Sequence, residues 1–283
     1  MTLRNIKENG LAVLLIALLS IIGAGGFGGL YVAPGMALAV VLAMTWGEKM
    51  APAVFLGTLL AESLGAFFGM PGVLPGIFPN MLLEMLFLPV GTTLSFFIVC
   101  KYAEKNNPKD TGLTESQDLL QFMISIALFS GMMSGIVTFA LFRSEPERGL
   151  AFFLLLFGNA LMLSPLFFYV ATEKLVLLLK SSKLGKRKII SSILLVSLTG
   201  AVVLSPVTRN FAGDFGILLI LPMMLNAVLM GQGVNSIQMV LIWSLGVWGF
   251  QGSLPPYGST IHGEINFGIY MITLGPVVLW VTA

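Results

Sequence analysis

Two carboxylates stand inside apolar runs of this sequence: Glu62 within Ala51–Gly69, and Glu84 within Asn80–Cys100. At the centre of a bilayer an acidic side chain costs roughly 2.5 kcal/mol or more unless it is protonated, paired or turned to water. Neither run contains a Lys or Arg. Helical spacing sets Thr58, Glu62, Gly65, Ala66 and Gly69 along one stripe, and Asn80, Glu84, Gly91 and Ser95 along another. Two such stripes on successive antiparallel helices are expected to face each other and line one cavity. The competing reading is that both acids bond backbone groups at helix ends and serve folding alone. Acids with no basic neighbour in the run favour a cationic or proton-coupled stimulus over an anionic one.

Further polar side chains recur deeper in the chain. Gly158-Asn159 is followed by Ser164-Pro165, and Pro222 precedes Asn226 in the same way. Proline frees the carbonyl one turn back and bends a helix. Asn in a span also serves as interhelical glue, and Gln238 is read in that role. The candidate ligand-binding set is therefore Glu62, Glu84, Asn80, Asn159 and Asn226, with Pro34, Pro165 and Pro222 as helix-bending positions. His262 and Glu264 are expected in a loop over Gln251–Asn266, where a protonatable imidazole senses pH or is simply solvated.

Several chemistries are excluded by count. Cys100 is the only cysteine and His262 the only histidine, which leaves no internal disulfide and no multi-histidine metal centre. No nucleophilic triad, HExxH helix or phosphate loop is present, so neither an enzyme nor a cofactor is expected. Gly23-Ala24-Gly25-Gly26-Phe27-Gly28 spells the dinucleotide fingerprint, but that pattern has meaning only between a strand and a helix. Here it follows an apolar helix and precedes Pro34, so it is read as a close-packed or broken helix end.

The elements that must position these residues follow from composition: 57% apolar, 10% charged and a mean hydropathy of +0.95. A soluble domain is about a quarter charged. In hydrocarbon every backbone group must be satisfied internally, and long continuous apolar runs make helices rather than strands. The expectation is an all-α polytopic membrane bundle of about ten segments (eight to ten). They are read as Leu11–Leu30, Pro34–Trp46, Ala51–Gly69, Asn80–Cys100, Leu119–Phe142, Leu150–Thr172, Ile189–Ser205, Phe215–Met230, Ser236–Phe250 and Asn266–Thr282. The second is short, a tilted span or a re-entrant half-helix; charge placement favours a span. With the N-terminus cytoplasmic, interior loops carry Lys101, Lys105, Lys109 and the cluster Lys174, Lys180, Lys183, Lys186, Arg187, Lys188. Exterior loops carry Arg143, Arg148 and Arg209, offset by Glu145, Glu147, Asp214 and Glu264, in keeping with the positive-inside rule. Both termini are then cytoplasmic. Gly25/Gly29, Gly65/Gly69 and Gly131/Gly135 predict tight helix packing within the bundle. The apolar end at Trp280–Ala283 suggests one transmembrane domain, 1–283, cut from a longer protein with a C-terminal output domain.

Three stretches carry a family resemblance. They are Leu30-Tyr31-Val32-Ala33-Pro34-Gly35 running on to Trp46-Gly47, Ala51-Pro52, Gly57 and Ala61-Glu62; Phe157-Gly158-Asn159 leading to Ser164-Pro165; and Leu221-Pro222 through Gly231-Gln232-Gly233 to Trp243 and Trp248-Gly249. The chain resembles the membrane-associated sensor domain family, type one, over nearly its whole length. That resemblance implies a multi-pass domain of the bacterial inner membrane that detects a small ligand or a partner protein and relays it to a histidine kinase or diguanylate cyclase. The family often carries Gly-Asp where this chain has Gly158-Asn159, so no carboxylate function carries over there. Expected partners are the lipid bilayer, a small-molecule ligand, a membrane partner protein or a second copy of the chain, and no nucleic acid. The alternative is a transporter or its substrate-binding subunit, which interrupted helices at Gly23–Pro34 also fit, though no inverted repeat is visible. A scaffold for other membrane proteins is the third reading.

Overall fold

The computed structural model of the chain describes residues 3–26, 34–67, 81–106, 113, 116–141, 146–175, 179, 186–204, 224, 228, 230–251 and 261–282. Among these, the regular elements are helical: α1 (Leu3–Gly26), α2 (Pro34–Thr45), a 3-10 turn (Gly47–Met50), α3 (Ala51–Phe67), α4 (Met81–Asn106), α5 (Ser116–Leu141), α6 (Pro146–Ala171), α7 (Lys186–Leu204), α8 (Gln232–Gln251) and α9 (Ile261–Thr282). Leu86–Asn106, Ser116–Phe139 and Pro146–Ala171 are each long and apolar enough to cross a membrane. Among the described residues all regular structure is helical, and these three helices make the chain a membrane protein.

Local chemistry sets the helix ends. Pro34 and Pro146 open α2 and α6, where a missing N–H costs nothing because first-turn amides have no helical partner. Asp118 and Glu147 lie in the first turns of α5 and α6, favourable against the helix dipole. Gly47, at φ 70°, turns the chain out of α2. The end of α6 closes by a pair of reverse bonds: Glu173 N–H donates to Val170 O at 3.1 Å and Lys174 N–H to Tyr169 O at 2.9 Å. That closure needs a left-handed residue, normally glycine, and here Glu173 takes it at φ 57°.

Packing is organised around α6, which lies against α9, α2, α5 and α8, while α3 lies against α1 and α4. The contacts fix helix directions. Leu154, Gly158 and Leu161 of α6 meet Gly268, Met271 and Gly275 of α9 in that order, so the two run parallel. Ser134 of α5 donates to Gly149 O of α6 at 3.1 Å, while Gly131 approaches Phe153, so these two run antiparallel. At one end of the bundle Lys101 Nζ meets Glu48 Oε1 at 2.7 Å. Near it Cys100 Sγ donates to Ala43 O at 3.8 Å, which brings the C-terminal parts of α2 and α4 together. Lys49 Nζ stands 5.6 Å from the Trp46 ring. At the C-terminal end of α6, Gln232 Nε2 donates to Leu113 O at 2.8 Å and Tyr169 Oη to Gln232 Oε1 at 3.4 Å.

Helix α2 departs most from expectation. Its 12 residues rise about 18 Å, short of a hydrocarbon core of about 30 Å. Every residue from Pro34 to Met44 is buried. Its uniform apolarity reflects protein on every side.

Two expectations are corrected. Gln251–Asn266 is not all loop: α8 runs to Gln251 and α9 begins at Ile261, which puts His262 and Glu264 in the first turn of a helix. Gly131 and Gly135 are exposed, with nothing within 4 Å of the Cβ position of Gly135, so that pair does not carry close packing inside the bundle. The close approaches use Gly35, Gly57, Gly149, Gly158 and Gly268 instead. Gly29, Gly69 and the segment Phe215–Met223 lie outside the described residues.

Candidate functional site

Glu62 sits half-buried on α3, one turn beyond Thr58, whose hydroxyl donates back to Val54 O at 2.8 Å. Glu84 lies in α4; its side chain is outside the described residues, as are Asn80, Pro222 and Asn226 altogether. Pro34 and Pro165 are buried.

At Gly91 the α4 stripe faces α5. A methyl group at Gly91 would lie 3.1 Å from Met133 Sδ and 3.6 Å from Ile136 Cγ2, both on α5. Ser95 on the same stripe is fully buried and donates to Gly91 O at 2.9 Å. On α3, Gly57 packs against Val13 and Ile16 of α1. The stripes were read from periodicity alone, which gives a face but not the neighbour that face meets.

Asn159 is the most tightly held of the candidates. It is 1% exposed, and its Oδ1 accepts the indole N–H of Trp243 at 2.6 Å, joining α6 to α8. Directly beside it, a methyl at Gly158 would fall 2.7 Å from Met271 Cβ, and one at Gly268 2.6 Å from Leu154 Cβ. Five residues on from Asn159, Ser164 Oγ donates to Ala37 O of α2 at 3.3 Å. Pro165 leaves Leu161 O without its helical donor, and the Cβ position of Gly275 stands 3.8 Å from that oxygen. One stretch of α6 thus touches α2, α8 and α9 at polar or glycine contacts. Gln238 plays the expected linking role, its Nε2 donating to Ser192 Oγ of α7.

Sequence reasoning missed Trp243 as the partner of Asn159, because the two are 84 positions apart. It also missed Gly268 and Gly275, which carry no small-xxx-small signature. Glu62 and Asn159 lie on helices with different principal neighbours. Among the described residues, no group of three or more His, Cys, Asp or Glu is placed to hold a metal ion. No family model, curated protein or solved structure matches the chain.

Proposed function

We propose that the chain is a multi-pass sensory input domain of the bacterial inner membrane, of the type-one membrane-associated sensor kind, with about ten membrane segments (eight to ten) and both termini cytoplasmic. The observation that carries this reading is the junction on α6. Asn159 holds α8, Ser164 holds α2, and interlocking glycines hold α9, so a displacement of α6 is passed to α9. A stimulus acts through such a junction only by binding its two arrangements with different affinity. Glu62 is the residue proposed to read it, with protons or a small cation as the stimulus, and α9 is the element proposed to relay it to a kinase or cyclase.

The topology is supported by where the described helices meet. Lys101 with Glu48, and Gln232 with Leu113 and Tyr169, draw together three of the loops read as interior and the C-terminal end of α6 that leads to the fourth. Gln238 bonds Ser192 early in α8 and α7 respectively, so within a slab both helices set out from the same side.

The test fuses the chain to a cyclase reporter through α9 and follows its output as external pH and monovalent cation concentration are stepped. A wild-type response that is weakened in Glu62→Gln, at equal membrane expression, is the expected result. A response unchanged by Glu62→Gln rejects the assignment. The alternative, a carrier or its substrate-binding subunit, draws on the short enclosed α2; proton or cation flux in liposomes would support it.

A further inference from the structure

Two helices that lie side by side each carry a proline in mid-course. Pro165 stands inside α6 and Pro276 inside α9, and the two helices are packed along each other. A proline has no N–H to give to the carbonyl four residues earlier, and its ring pushes that carbonyl aside. The helical ladders are therefore open at Leu161 O in α6 and at Ile272 O in α9. Sharp bends of helices sit at such places.

The glycine contacts fix the relative height of the two gaps. The Cβ position of Gly268 falls against Leu154, that of Gly158 against Met271, and that of Gly275 against Leu161. On this register Pro276 comes level with Met162, so the gap from Ile272 to Pro276 overlaps the gap from Leu161 to Pro165. Their centres differ by three residues, roughly 4.5 Å, which is less than one turn. Both helices are weakened at one level of the bundle.

The two sides of that level are fastened differently. On the N-terminal side main chain meets main chain. The Cβ position of Gly268 stands 2.9 Å from Leu154 C and 3.1 Å from Leu155 N, and that of Gly158 3.2 Å from Gly268 O. No rotamer change loosens such contacts. On the C-terminal side the printed holds on α6 are side chains. Phe168 stands edge-on to Phe122 of α5, ring centroids 5.7 Å apart. Tyr169 Oη reaches Gln232 Oε1 at 3.4 Å, long for a hydroxyl donor. Side chains can follow a change of helix angle.

We propose that Pro165 and Pro276 form one shared hinge, at which the C-terminal turns of α6 and α9 pivot together against a locked N-terminal pair. Bending α6 alone would drive it into α9 or open a void beside it, and close-packed interiors resist both. One helix therefore bends only as the other does. The pivot itself stands without the sensory reading; its use as the relay through α9 rests on that reading.

The test needs no stimulus. Spin labels are attached at Leu150→Cys and Val170→Cys in a Cys100→Ser full chain, where serine keeps a donor for Ala43 O. Both labelled positions are exposed, and Pro165 lies between them, about 30 Å apart along α6. Leu120→Cys with Phe139→Cys on α5, likewise exposed and with no proline between them, serves as the straight reference. Double electron–electron resonance in lipid nanodiscs reads both distance distributions. The α6 distribution is expected to be wider than that of α5. Pro165→Ala narrows it to the α5 width, and Pro276→Ala, on the other helix, narrows it too. An α6 distribution no wider than that of α5, with both prolines in place, overturns the hinge without reference to any proline variant. An α6 distribution unchanged by Pro276→Ala overturns the sharing.

Discussion

Replacing Gly268 by alanine is expected to separate α9 from α6. The added methyl would sit 2.6 Å from Leu154 Cβ, 2.9 Å from Leu154 C and 3.1 Å from Leu155 N. Ordinary carbon contacts begin near 3.5 Å, so the worst of these is about 0.9 Å too close. Two of the three atoms belong to the α6 backbone, which no rotamer change can withdraw. Overpacking of this kind costs about 1–3 kcal/mol, against a gain of up to about 1 kcal/mol from alanine's better helix propensity. The net expectation for Gly268→Ala is a loss of about 1–2 kcal/mol. Gly158→Ala meets Met271 Cβ at 2.7 Å and Cε at 3.1 Å; the flexible thioether relieves part of that, so its loss is smaller. Gly135→Ala, with nothing within 4 Å of its Cβ position, gains up to about 1 kcal/mol. Reversible unfolding in mixed micelles, titrated with a denaturing detergent, ranks the three. Equal effects at Gly268 and Gly135, or a Gly268→Ala protein as stable as the wild type, would refute the close-packed α6–α9 seam.

Other outcomes follow from single contacts. Trp243→Phe removes the donor to Asn159 Oδ1 and costs about 1–3 kcal/mol; a double-mutant cycle with Asn159→Leu should show coupling, and additivity would count against the bond. Glu173→Gly relieves a left-handed residue and stabilises by about 1 kcal/mol, read as a raised unfolding midpoint, whereas Glu173→Val lowers it. Gln232→Leu frees Leu113 O, so tryptic cleavage between Asn106 and Ser116 should quicken without a change in helix content by circular dichroism. Unchanged cleavage would count against any restraint by the Gln232 bond to Leu113 O.

Hydropathy made the existence of the helices legible, because a run such as Leu150–Thr172 has no other way to satisfy its backbone in lipid. Neighbour relations were not legible. A membrane helix has no water-facing side to betray its orientation, so Gly91 and Ser95 were read as facing α3 when Gly91 faces α5. The same blindness hid the burial of α2, since Ala39, Val40 and Val41 would read alike against lipid or protein. Asn159 was legible as a polar residue out of place. Its partner was not, because nothing local to either residue connects it with Trp243. The first turn of α9 was mistaken for loop because Gly263 and the polar His262 and Glu264 resemble turn chemistry.

The enclosure of α2 constrains how the protein is made. Too short to be held by acyl chains at both ends, α2 emerges from the ribosome before α4, α5 and α6, the helices that later surround it. It must wait, at the translocation machinery or against α1, until more than a hundred further residues have been synthesised. Biogenesis thus has a late, post-insertion step in which the walls close around a resident already in place, and truncation before α6 should strand α2 where quality-control proteases find it.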